Sequence, residues 1–212
     1  MRKYTIENLK KFKRVNGFVI CPTGDYSEIE KFPADCYAFQ DYSVFKNCVD
    51  FSLARGSRFG QHCQFRFECK FAENIIFGDF CEFSGSSFGD NCQFGNGCLF
   101  GMCCTFGMRN KFGRCCQFKC ACSFRDFCEF GERCDFTEVM EFSNAIFGAK
   151  CKFGSYNRFY SNVVFGEFCE FCDGNSFGSH ISFGHGCKMG KRNKLSLDAR
   201  LSKLFSFVRF AA

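Results

Sequence analysis

Phenylalanine returns every six residues through most of this chain, a period that fits neither the 3.6-residue turn of a helix nor an ordinary open sheet. From Phe59 it recurs at Phe65, Phe71, Phe77 and Phe83, then steps five residues to Phe88. Sixes resume through Phe94, Phe100, Phe106, Phe112, Phe118, Phe124, Phe130, Phe136 and Phe142. A second five-residue step reaches Phe147, followed by Phe153, Phe159, Phe165, Phe171, Phe177 and Phe183, with Met189 and Leu195 in the last two places. The unit reads Phe-Gly-x-x-Cys-x, and a weaker lead-in stands at Phe39, Phe45 and Phe51.

Grouping the units by threes shows a longer coil of 18 residues. The position two before the second Phe of each group is Cys63, Cys81, Cys98, Cys116, Cys134, Cys151, Cys169 and Cys187 without exception. The position after the first Phe is Gly60, Gly78, Gly95, Gly113, Gly131, Gly148, Gly166 and Gly184. Both columns stay in phase across the five-residue steps, so each step reads as a one-residue deletion inside a turn. In such a stack each coil supplies backbone partners to the next at about 4.8 Å. Inward Phe rings then stack in columns, and Cys packs as a small hydrophobe. Gly is expected at a corner with φ above zero. Asn157, Asn175 and Asn193 suit either that backbone region or an inward ladder of amides, with the ladder favoured. Both prolines, Pro22 and Pro33, precede the repeat, which leaves the strand ladders uninterrupted.

The pattern resembles the hexapeptide-repeat family, whose unit is an aliphatic residue, a small or acidic one, two variable residues, a small residue and one more. Phe here replaces the aliphatic residue and Cys the small one, over about residues 59–196. The resemblance implies an all-β, left-handed parallel β-helix of triangular section. The Phe-Gly-x-x-Cys-x variant also looks like small proteins of gut bacteria and their mobile elements. Three regions are expected: an N-terminal cap over 1–38, the solenoid over 39–195 and a C-terminal helix over 196–212. In the cap, "TIENLKKFK" reads as a short helix with Thr5 as N-cap, followed by an Asn16-Gly17 turn and a strand at "FVIC". In the last region Leu197, Leu201, Leu204, Phe205 and Val208 fall on one stripe, widened by Phe207 and Phe210. That stripe serves either as a cap on the last coil or as a dimer seam.

Charge is uneven. Residues 1–14 hold six basic side chains and one acidic, and residues 188–212 hold seven and one, leaving 15 of the 28 basic and 20 of the 22 acidic residues between. Basic ends such as "GKRNK" are where nucleic acid would touch, through phosphates, but no base-reading module accompanies them, and a solvated end is the favoured reading. There is no apolar run of 18 residues and no apolar leader, so a soluble cytoplasmic protein with no membrane contact is expected.

The 20 cysteines look like redox or metal chemistry only as a string. In register, Cys116 and Cys122 of "CCQFKCAC" point inward on different faces, while Cys115 and Cys120 flank different corners. Neighbouring coils are expected to bring Cys103 near Cys120, but two thiolates without a third ligand do not make a zinc site. Free thiols, no metal and no cofactor are expected. The family's transferases use a general-base His, often on a loop at a trimer cleft, with acyl coenzyme A lying along the helix. The candidates here are His62, His180 and His185, and no insertion between Phe59 and Leu195 could carry a catalytic arm. With no catalytic residue assigned, acyl transfer from acyl coenzyme A is the alternative reading. The favoured one is a non-enzymatic scaffold, homo-oligomeric, that engages a protein partner. A phage or mobile-element inhibitor of a host defence enzyme, CRISPR or restriction, is its specific form. The partner-binding patch is placed at outward-facing Ile146 and Val164, with Phe168 just beyond the corner.

Overall fold

The computed structural model describes residues 1–196 and the two-residue strand Arg209–Phe210. Its body is a parallel β-solenoid of about ten turns, with 18 residues per coil. Most strands are only two residues long, an outward residue followed by its inward Phe, as in Lys111–Phe112 and Gln117–Phe118. Face one carries the column from Phe39 to Phe183, face two that from Phe45 to Met189, and face three that from Phe51 to Leu195. The coil-to-coil pairings of the repeat are parallel and in register, Phe94 on Phe112 for example, except where Glu82–Ser84 shifts register against Gln64–Phe67.

Ring geometry explains the choice of phenylalanine. Along face one successive centroids lie 4.7–5.2 Å apart with nearly parallel planes. Rings of neighbouring columns meet edge to face, as Phe94 does Phe100 at 5.0 Å and 87°. Each ring thus makes offset stacks along the axis and T-shaped contacts across it, the two arrangements its quadrupole favours. The columns begin before the regular repeat: Tyr26 stacks on Phe45 at 5.5 Å, and Phe32 on Phe51 at 4.3 Å.

The N-terminal elements form as the sequence indicates. Helix Ile6–Lys11 follows Thr5, whose backbone N–H donates to Asn8 Oδ1 at 2.8 Å. Asn16 and Gly17, at φ 48° and 83°, turn Arg14–Val15 back onto Phe18–Cys21, which pairs in parallel with Tyr37–Phe39. At the other end, the stripe Leu197, Leu201, Leu204, Phe205 and Val208 lies outside the described residues. Phe210, read as part of that helical stripe, instead belongs to strand Arg209–Phe210, paired in parallel with Lys188–Met189. No helix among the described residues is long and apolar enough to cross a membrane.

The corners depart from expectation in an instructive way. Face-one glycines such as Gly78, Gly113 and Gly131 do not have positive φ. They are required by close approach: a Cβ on Gly113 would lie 2.7 Å from the carbonyl carbon and oxygen of Gly95 in the preceding coil. The left-handed backbone falls two residues later, at Phe80, Cys115, Arg133 and Lys150, and 22 non-glycine residues adopt positive φ among the described residues. The N–H there donates to the next coil, Phe80 to Asn96 O at 2.8 Å and Cys115 to Glu132 O at 2.9 Å, which offsets the strain. Both five-residue steps shorten such a corner by one residue, at Gly85 and Asn144, and the coils above stay in phase.

The Asn ladder is real and faces inward. Asn157 and Asn175 are fully buried. Asn157 Oδ1 accepts from Met140 N–H at 2.9 Å, Asn175 Oδ1 from Asn157 N–H at 2.8 Å, and Asn193 Oδ1 from Asn175 N–H at 2.7 Å. It runs from amide side chain to backbone, and Asn110, overlooked in the sequence, does the same for Cys92 N–H at 2.8 Å.

Opposite substitutions separate the two corner roles. Gly113→Ala is expected to destabilise by about 1–3 kcal/mol, because it forces overlap with backbone. Val139→Gly, at φ 55°, is expected to stabilise by about 0.5–1 kcal/mol by relieving a left-handed β-branched residue. Urea unfolding midpoints measure both, and a neutral Gly113→Ala would show that the coils do not approach so closely.

Candidate functional site

The solenoid sorts its side chains by position, and chemistry is available only outside. The Cys column of face two is buried throughout, and each thiol donates to a carbonyl of the coil below: Cys98 to Gly78 O at 3.4 Å, Cys116 to Gly95 O at 3.4 Å, Cys134 to Gly113 O at 3.3 Å. Read from sequence as small hydrophobes, these residues also serve a weak donor ladder, which their spacing over the glycine column would have indicated. Cys21, outside the repeat register, is buried as well, in strand Phe18–Cys21. All 20 cysteines are free thiols, and those less than fully buried are Cys36, Cys48, Cys103, Cys115, Cys120 and Cys172. Cys103 and Cys120 do meet, Cys103 N–H donating to Cys120 O at 3.3 Å, while Cys115 stands at another corner. Among the described residues no three His, Cys, Asp or Glu side chains are grouped to hold a metal.

The histidines are dispersed. His62 is sandwiched between Tyr42 and Phe80, with ring centroids 4.9 and 5.0 Å away. His180 occupies an exposed left-handed corner after face three. His185 meets Phe168 edge-on at 5.8 Å. Seven coil rises of about 4.8 Å put His62 and His185 about 34 Å apart.

The proposed patch residues do share a face. Ile146 and Val164 pair directly in the outward column of face one and are 52% and 44% exposed. Gly148 and Gly166 lie two residues on, just past the ends of strands Ile146–Phe147 and Arg158–Phe165, and put no side chain on the surface beside them. Phe168 turns the next corner and is half covered, because its ring lies over Gly186, where a Cβ would come within 2.6 Å of it. The same arrangement recurs with Phe67 over Gly85, Phe80 over Gly97 and Tyr156 over Gly174. Sequence reasoning missed these seats. An aromatic followed 17 or 18 residues later by a left-handed glycine was the signal that each has a seat.

The outward column of face two alternates in charge, Lys152, Glu170 and Lys188. Lys188 Nζ lies 2.9 Å from Glu170 Oε1 and holds that carboxyl below the ordinary carboxylate range. A shallow groove of about 450 Å³ runs beside it, between Cys120, Thr137, Gly154 and Cys172. A second, of about 400 Å³, is lined by Asn91, Arg109, Lys111 and Phe127, the Arg109 guanidinium lying 5.8 Å over the Phe127 ring. Neither groove receives a histidine.

Comparison with family models and with curated proteins finds no match for this chain.

Thiol chemistry reports the sorting directly. In the native protein an aromatic disulfide reagent should react with the six partly or fully exposed cysteines, and in denaturant with all 20. Burial pushes the thiols of Cys92 and Cys128 up to about 12, and that of Cys69 up to about 11. These groups stay protonated in the fold but ionise in the unfolded chain near pH 8.5. Their contribution is therefore complete below that pH and is lost as pH rises toward the folded values, at about 1.4 kcal/mol per thiol per unit. Melting curves at pH 8 and 10 should show a steep loss, and an unchanged midpoint would contradict the burial.

Proposed function

We propose that the chain is a hexapeptide-type β-helix, left-handed as the family resemblance implies, that works as a non-enzymatic binding scaffold in the cytoplasm. The observation that carries this reading is the exposed Ile146–Val164 pair on face one, seated beside the glycine column. Apolar side chains standing on a flat, rigid sheet offer area to a protein surface without an ordering cost in the scaffold. The partner is a protein, with self-association as a further use of the same surface. Inhibition of a host defence enzyme, CRISPR or restriction, is the specific form proposed, with the chain supplied by a phage or mobile element. The dispersed histidines leave acyl transfer from acyl coenzyme A without a place where a base and an acceptor would converge.

The double substitution Ile146→Asp and Val164→Asp should abolish partner capture from the native host and weaken self-association, with the far-ultraviolet circular dichroism spectrum retained. The measurements are affinity pull-down and sedimentation velocity. If the variant behaves as the parent in both, the patch has no binding role and the proposal falls.

A further inference from the structure

The outward column of face one has an order that its mirror image nearly reproduces. Ile76, Gln93, Lys111, Glu129, Ile146 and Val164 occupy consecutive coils, each paired in register with the next. Lys111 and Glu129 stand at the centre, their Nζ and Oε2 3.0 Å apart. A polar and an apolar residue flank one side, and two apolar residues flank the other. Ile76 is 37% exposed, so apolar surface lies at both ends of the run.

We infer that face one binds a second copy of this chain, rod antiparallel to rod, about a two-fold axis that crosses the rod between Lys111 and Glu129. Such an axis lays the column of one copy on the column of the other in reversed order. Lys111 then faces the partner's Glu129, and Glu129 the partner's Lys111, so the four charges alternate around a square. Ile76 meets the partner's Val164 twice, and Ile146 meets the partner's Gln93. Beyond the run, Arg58 faces the partner's Ser182, and its guanidinium already lies 4.8 Å over the Phe18 ring. The alternative two-fold, parallel to the rod, sets Lys111 beside the partner's Lys111 and Glu129 beside its Glu129, which like-charge repulsion disfavours. Self-complementarity is what an isologous contact demands of one surface, and this column has it in charge and in apolar ends.

The glycine column beside the run carries no side chain that would hold the faces apart. From Arg58 to Ser182 the contact spans seven coil rises, about 34 Å long and about 16 Å wide. That is about 550 Å² on each copy, at the lower edge of specific interfaces. A contact of that size belongs with weak, transient associations. The inference rests on the reading of face one as a contact surface and names one occupant of it.

Sedimentation velocity on the full chain, from about 1 to 200 μM at low and high salt, tests it. The parent should dimerise across that range and dissociate as salt rises. K111E alone and E129K alone should each weaken association at least tenfold. The double variant K111E/E129K, which restores alternation with the signs exchanged, should recover it. A parent that stays monomeric overturns the inference, as does a dimer indifferent to K111E, which would point to the C-terminal segment or another face. Failure of the double variant to recover also overturns it. A monomeric parent that still captures a host protein through Ile146 and Val164 sinks the dimer and leaves the scaffold reading standing. A charge-dependent dimer without such capture does the reverse.

Discussion

Parallel β-strands and stacked phenyl rings share a distance, and this protein is organised by that coincidence. Strands hydrogen-bond at about 4.8 Å, so identical residues in successive coils recur at that interval. Rings turned across the axis then settle on one another, at 4.9 Å for Phe94 on Phe112 and 4.8 Å for Phe112 on Phe130. Three such columns meet edge to face within a triangle that they fill. An aliphatic column would bury area but would lack the edge-to-face contact that locks the three columns at one height. The core therefore tolerates little variety, and Met189 and Leu195 replace Phe only near the C-terminal end.

Close stacking passes its costs to the corners. Glycine is needed where one coil's backbone lies on another's, and left-handed geometry is needed two residues later whatever side chain stands there. Among the described residues 22 non-glycine residues stand at positive φ, and the strain is tolerated because the N–H at most repeat corners continues the ladder. Carboxylates and amides at the same corners reinforce it: Asp79 Oδ1 accepts from Asn96 N–H at 2.6 Å, and Asp90 Oδ1 from Met108 N–H at 2.7 Å. Much of the outward polarity is thus engaged in holding coils together. The side chain just before each Phe takes least part in that ladder. Ile146, Val164, Lys111 and Glu129 all occupy that position.

The fold was legible because a strict repeat makes each residue's direction a matter of counting. Register alone resolved "CCQFKCAC" into inward Cys116 and Cys122 and corner residues Cys115 and Cys120, as the structure shows. The face shared by Ile146 and Val164 followed from the same count. Counting did not reveal that the face-one glycines answer to close approach, nor that Phe80 and Phe168 lie on glycines one coil away. Both facts depend on distances between coils, which a period does not contain. The C-terminal stripe marks another limit: Phe210, read as widening that stripe, pairs with Met189 as a strand. Apolar spacing in a short segment cannot register that an open sheet edge lies nearby.

The sequence by itself determined the coil, its 18-residue length, the inward columns and the phase kept across two deletions, because period-two alternation ties side-chain direction to residue number. Tertiary structure decided what each outward side chain is free to do. Phe168 is seated on Gly186, His62 is enclosed between two rings, and Lys111 lies within ion-pair distance of Glu129 from the neighbouring coil. Those pairings join residues 18 to 20 positions apart, and only the stacking of coils at a fixed rise and rotation brings them into contact.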